Sequence, residues 1–279
     1  MIVALGLLLV LLMGQAHAAG KPPTANNSSF DPAIMKIEES NFLGQRLGPG
    51  TEFRDETGKR FALSDVLGKP VILVLSYFDC DGSCPAVNQS LANALAEVRR
   101  FKLGRDYRVL TVSFDRADTD QTATNFVSKM RNLPADFRDG WRFAVLGDPS
   151  PQAPETFAKV VGFQFFWSRI DKMFVHPNVA VFLTPEGRVA RYIYGTRMDA
   201  KTVELALIDA DWGRISESAT SAFDMITGAC YSYNYSEGRY QPNYALFAGV
   251  GSLLLGLSLM GLGVFAYRRK LARRTVDAL

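Results

Sequence analysis

Histidine and cysteine are scarce in this chain. Its 279 residues include two histidines and three cysteines. Three cysteines cannot build a four-thiolate zinc site, and they are too few for a disulfide framework. Net charge is lacking as well. The last twelve residues hold five basic side chains and one acidic one. The remainder carries 26 basic against 27 acidic residues, a net of −1. The sequence pI of about 8.7 is therefore a property of the tail. It gives no reason to expect a nucleic-acid surface. No self-similarity recurs at a period of 20–50 residues, which excludes a solenoid or propeller. Finally, residues 244–267 contain no charged side chain at all.

The two ends are addresses. Residues 2–13 form an apolar core, and Ala16-His17-Ala18 is a small-x-small cleavage site, so residues 1–18 read as a cleaved signal peptide. The amino-terminal region lacks the usual Lys or Arg. Removal of this segment takes His17 with it and leaves His176 as the one imidazole of the mature chain. At the other end, residues 244–267 are long enough to cross a bilayer, with Tyr244 and Tyr267 at the two edges. Arg268, Arg269, Lys270, Arg273 and Arg274 follow. The positive-inside rule puts this basic tail, 268–279, in the cytoplasm and the domain outside. Gly249, Gly256 and Gly263 recur every seven residues, a smooth stripe on which another helix could pack.

Between the ends, residues 19–42 read as a polar tether, 43–213 as one α/β domain and 214–243 as a juxtamembrane linker. Residues 53–61 predict a hairpin around Glu56-Thr57-Gly58, and Ser64 predicts a capped helical turn. Apolar runs at 71–77, 107–114 and 141–146 predict strands buried on both faces. Val87, Leu91, Leu95 and Val98 predict a helix from Pro85 to about Phe101. Asp118 or Thr119 caps a helix to about Met130, and a further helix is expected at 151–161. A second hairpin, 179–194, turns at Thr184-Pro185-Glu186-Gly187, and Asp199 caps a last helix to about Asp209. Together these elements give a mixed sheet with flanking helices. The crossover after the first buried strand is the thioredoxin pattern. It sets the turn at the carboxyl end of a central strand, where open α/β sheets keep their sites.

That turn carries Cys80 and Cys84, spaced C-x-x-x-C-P. Residues four apart at a helix mouth point the same way. The pair can serve as a structural disulfide, a redox dithiol or metal ligands. The helix N-terminus favours a thiolate, mainly at Cys84. Asp79 and Asp81 flank Cys80, and residues 70–98 contain no Lys or Arg. Nearby carboxylates oppose the depressed pKa of a reactive thiol and favour a cation. Two thiolates and an imidazole suit Cu(I) or Zn. The thioredoxin topology brings the loop holding His176 against the cysteine turn. Met173, three residues earlier, is a soft alternative ligand. Cys230 is left over near the membrane.

These residues resemble the Sco/SenC copper-binding proteins of cytochrome c oxidase assembly. The likeness runs from about Leu47 to Asp209. It rests on the Gly-Lys-Pro-Val entry to the first strand, on Cys80 to Pro85, on Val112-Ser113-Phe114-Asp115 with an Asp-Thr pair, and on His176 to Gly187. The resemblance implies a copper site of Cys80, Cys84 and His176, holding Cu(I) or Cu(II), with Asp115 at a nearby acidic position. It implies a copper chaperone of the bacterial inner membrane with its domain in the periplasm. Its partners would be a copper-accepting oxidase subunit and a periplasmic reductant or second copper chaperone. The alternative is a thiol–disulfide oxidoreductase whose redox pair is Cys80 and Cys84. A peroxidase is disfavoured, because no Thr stands three residues before Cys84 and no Arg is near. Phe78-Asp79 before the first cysteine and Asp81-Gly82-Ser83 between the two depart from the family's usual residues. So does anchoring at the C-terminus. Pro177 follows His176 directly, and thioredoxins carry a cis-proline near this loop, so the His176-Pro177 bond is a candidate for the cis form.

Overall fold

The computed structural model describes residues 36–80, 82–134, 137–169, 172–213, 231–234, 239–242 and 244–276. The stretch read as a signal peptide, most of that read as a tether, Asp81 and Cys230 lie outside them.

The chain enters through a single 3-10 turn, Glu39–Asn41, and then forms β1 (Glu52–Asp55) and β2 (Arg60–Ala62). The turn near Ser64 is a 3-10 turn, Leu63–Asp65. Its cap is Asp65, which accepts the Ala62 N–H at 2.9 Å, and not Ser64. Then come β3 (Val71–Ser76), α1 (Ser83–Glu97), β4 (Arg108–Ser113), α2 (Asp120–Lys129), β5 (Trp141–Leu146) and α3 (Ala153–Val160). A short ribbon follows, β6 (Phe166–Ser168) and β7 (Met173–Val175). The domain closes with β8 (Val179–Leu183), β9 (Val189–Tyr194) and α4 (Ala200–Asp211).

Seven strands form one sheet in the order β2-β1-β5-β4-β3-β8-β9. β3 pairs parallel with β4 and antiparallel with β8. Every residue of β3 is buried, because the sheet is covered on both sides. Ile72 and Val74 pack with Val87, Leu91 and Phe126 from the helices of one layer. Leu73 and Leu75 pack with Leu110, Phe157 and Val161 on the other. This is the reason the strand shows no polar alternation.

α1 stops four residues short of the expected end. Val98 turns extended, and the next two N–H groups, of Arg99 and Arg100, donate to the Glu204 carboxylate instead of to helical carbonyls. Thr119 is the cap of α2, accepting the Thr122 N–H. Asp199 caps α4 in the same way. The ribbon β6–β7 has no counterpart in the sequence expectations. Nor do β10 (Tyr231–Asn234) and β11 (Arg239–Pro242), which pair antiparallel within the stretch read as linker.

α5 (Tyr244–Val276) continues past the apolar stretch into the basic tail. Its span Tyr244–Tyr267 is long and apolar enough to cross a membrane, with mean hydropathy 2.0, and none of it is buried against the protein. Gly249, Gly256 and Gly263 face open space.

Candidate metal and redox site

β3 delivers the chain to a turn at residues 77–82, and α1 begins directly after it. Cys80 lies in the turn and Cys84 is the second residue of α1. Pro85 sits in the first helical turn, where no N–H is needed. His176 ends the approach from β7 and precedes β8. Because β8 pairs with β3, two positions 92 residues apart in sequence meet: Cys84 Sγ lies 3.2 Å from His176 Nε2. All three side chains are buried, with relative exposures of 7% for Cys80, 1% for Cys84 and 5% for His176. Both cysteines are free thiols. The described residues contain no cis peptide bond, so His176-Pro177 is trans.

The two sulfurs differ in character. Cys80 Sγ accepts the Gly82 N–H at 3.3 Å. The Cys84 thiol is its main hydrogen-bond donor, and the Tyr77 hydroxyl and the Cys84 N–H add to it. Against the opposing effect of burial, these donors hold Cys80 down to about 5 from an ordinary 9.0. Cys84 is pushed upward, first by its hydrogen bond to Cys80 and then by burial. This reverses the expectation that the helix mouth ionises Cys84. The buried Cys84 thiol donates to Cys80, and the Gly82 and Cys84 N–H groups point to the same sulfur. Asp79 is exposed, and the leading causes of the Cys80 shift are the hydrogen bonds named above and burial.

His176 is kept neutral by burial. Its Nδ1 is 3.0 Å from the Pro177 carbonyl. A carbonyl can only accept, so Nδ1 carries the proton and Nε2 presents a lone pair toward Cys84, where it competes with Cys80 for the single thiol proton. Rings enclose the imidazole. Phe163 stacks on it at 5.8 Å, Phe114 is tilted at 5.2 Å and Tyr77 stands edge-on at 6.1 Å.

Two buried polar groups fix the frame. Asp118 accepts the Phe78 N–H at 2.7 Å and the Ser113 hydroxyl at 2.5 Å, tying the cysteine turn to the end of β4. Asn88 donates to Ser76 Oγ and to the Cys84 carbonyl, and accepts from Thr111. It locks α1 onto β3 and β4. Neither role was apparent in the sequence. A lone amide one residue from Val87 on an apolar helix face is the signal that points to Asn88. Asp115 caps its own turn, accepting the Ala117 N–H at 2.9 Å. Met173 is 38% exposed, unlike the three buried donors. A cleft of about 580 Å³ opens near Arg54, Asp115, Arg116 and Asp118, and neither cysteine nor His176 lines it.

The donor set, two thiols and an unprotonated imidazole nitrogen, matches what a soft cation needs. The sulfurs and the ring are in mutual contact, however. Among the described residues no group of three or more His, Cys, Asp or Glu is spaced to hold a metal ion.

No protein-family model and no curated protein matches the chain. Solved structures do. A candidate electron transfer protein from Aquifex aeolicus is 26% identical, with 64% of this chain and 99% of that one covered and a TM-score of 0.56. A candidate electron transport protein from the same organism is 27% identical, covering 61% of this chain and 99% of the other, with a TM-score of 0.51. A SCO1/SenC family lipoprotein from Bacillus anthracis is 18% identical over 60% of this chain and 96% of that one, with a TM-score of 0.51. The mixed seven-stranded sheet, its flanking helices and these likenesses together give the domain the thioredoxin-like fold of the Sco/SenC proteins.

Proposed function

We propose that this chain is a membrane-anchored copper chaperone of the periplasm that serves the copper centre of a cytochrome c oxidase. Cys80 and Cys84 would bind Cu(I) as thiolates with His176 Nε2 as third ligand. The observation that carries this reading is the 3.2 Å approach of His176 Nε2 to Cys84 Sγ, with the other ring nitrogen committed to a carbonyl. A neutral imidazole held lone pair first against a thiol is poised to ligate without losing a proton. Copper is the cargo: it would pass by ligand exchange to cysteines of an oxidase subunit. The span Tyr244–Tyr267 would anchor the domain outside the inner membrane, with the basic tail in the cytoplasm.

A second reading is favoured by the asymmetry of the two thiols and by the electron-transfer descriptions of the Aquifex structures. In it the Cys80 thiolate attacks an acceptor disulfide and forms a mixed disulfide. Cys84 then displaces the acceptor and gives its proton to the leaving thiolate. Two electrons leave the chain, which ends as the Cys80–Cys84 disulfide.

Titration of reduced full-length protein in detergent with Cu(I), against a competing chelator, tests the first reading. One equivalent should bind, and His176→Ala should weaken it roughly tenfold or more, since losing even an outer-shell partner of a metal ligand costs that much. Wild type that holds no copper, or a variant that binds equally well, would overturn it. Rapid reduction of an acceptor disulfide by copper-free protein would support the second.

A further inference from the structure

The apolar side chains that the described part of the domain leaves exposed gather on one ribbon. Phe166 is 39% exposed, Trp167 50% and Met173 38%; among the residues whose side chains are described, the one other before the membrane helix is Trp212. The ribbon β6–β7 pairs with itself and stands outside the main sheet. Its register sets Phe166 opposite Val175, Trp167 opposite Phe174 and Ser168 opposite Met173. Side chains alternate along each strand, so Phe166 and Met173 share one face and Trp167 lies on the other. Exposed apolar groups therefore occupy both faces. The domain covers part of the ribbon, because Phe174, on the Trp167 face, packs on Tyr77 at 5.2 Å and Val175, on the other face, is buried.

Two observations name what would cover the groups that remain exposed. Arg169 and Lys172, both exposed, flank the strand ends, and with Asp171 between them in the sequence the turn carries a net charge of +1. Aromatic rings beside basic side chains are the composition of a bilayer interface, and the bases suit anionic head groups. The chain also brings a bilayer of its own. The thirty residues 214–243 separate the domain from the span Tyr244–Tyr267, a reach of at most ~100 Å when fully extended. Such tethering turns a weak surface contact into an intramolecular one.

We propose that the β6–β7 ribbon dips into the surface of the membrane that anchors the chain, preferring anionic lipid. This rests on the anchor reading given above. The ribbon is coupled to the site through rings: Trp167 meets Phe174 at 5.0 Å, Phe174 meets Tyr77 at 5.2 Å, and Tyr77 meets His176. Docking the ribbon would therefore fix how the cysteine–histidine site is presented to a membrane-bound acceptor.

The test uses full-length protein reconstituted in vesicles of phosphatidylcholine and phosphatidylglycerol, with brominated acyl chains as contact quenchers. In Trp212→Phe, two indoles remain: Trp141, fully buried in the core, and Trp167. Brominated lipid should lower the emission about twofold, as expected with one of two indoles in the interface. Trp167→Phe in that background should abolish the quenching. Arg169→Glu with Lys172→Glu, or vesicles of phosphatidylcholine alone, should reduce the quenching at least ~2-fold if anionic lipid is recognised. Protein that floats with the vesicles but keeps its full emission overturns the proposal and leaves the anchor intact. Protein that does not float overturns the anchor reading, and this proposal with it. Shielding of Trp167 only after a copper-accepting protein is added makes the ribbon a protein-docking element and also refutes the proposal.

Discussion

The ionisation of the two thiols can be tested without knowing any partner. Cys80 is held down to about 5, against an ordinary 9.0. At pH 5.5 it is then ~75% thiolate, where an ordinary cysteine is ~0.03%. A low pKa also weakens the nucleophile. With a Brønsted slope of ~0.4–0.5, the four-unit difference costs about 40- to 100-fold. The ionised fraction wins at low pH, leaving Cys80 about 20- to 60-fold more reactive at pH 5.5. At pH 8 an ordinary thiol is already ~10% ionised, and Cys80 becomes the slower of the two by severalfold. Burial of Cys80 scales all its rates together, so the ratio of rates at pH 5.5 and pH 8 is independent of access. That ratio should be ~0.8 for Cys80, against ~0.004 for an unperturbed cysteine. The assay is timed alkylation of reduced, copper-free protein with iodoacetamide, with the site identified by mass spectrometry. Cys84 should stay unmodified throughout. A Cys80 rate that climbs tenfold per pH unit through this range would refute the assignment, as would preferential labelling of Cys84.

Two other perturbations probe the frame. Burial holds the Glu39 carboxyl up to about 7 from 4.5, against the pull of Arg191 and Lys36. A carboxyl raised in the folded state favours folding fully below the unfolded value, and that contribution is lost as pH rises toward 7. Glu39→Gln should therefore match wild type near pH 4.5 and gain on the order of 2 kcal/mol above pH 7 after allowance for solvent screening, as read by urea unfolding. A gain that is independent of pH would show that packing, not charge, is responsible. Asn88→Ala leaves Ser76, Thr111 and the Cys84 carbonyl short of their partner. It should cost about 3 kcal/mol in the same unfolding assay, and a loss under 1 kcal/mol would mean that water replaces the amide.

Much of the domain could be read before any coordinates. The runs at 71–76 and 141–146 declare buried strands because nothing polar interrupts them, and the Asp199 and Thr119 caps mark their helices. The ribbon β6–β7 escaped notice for the opposite reason. Its strands are three residues long and apolar on both faces, so no period of two survives. The cysteines and His176 were legible as a cluster from the topology. Their electrostatics were not. Which sulfur ionises depends first on which thiol donates its hydrogen bond to the other, and spacing alone does not encode that. Asp118, expected as a possible helix cap, is instead the buried brace of the cysteine turn. That distinction lies in a single hydrogen bond to Phe78.

The contact between Cys84 and His176 spans 92 residues of chain. Closing so long a loop is entropically unfavourable until β8 has docked against β3. Before that moment the polypeptide carries an ordinary vicinal dithiol and a distant imidazole. On the copper-chaperone reading, a nascent or damaged molecule would lack the assembled cysteine–histidine cluster, and completion of the sheet would act as a built-in licence.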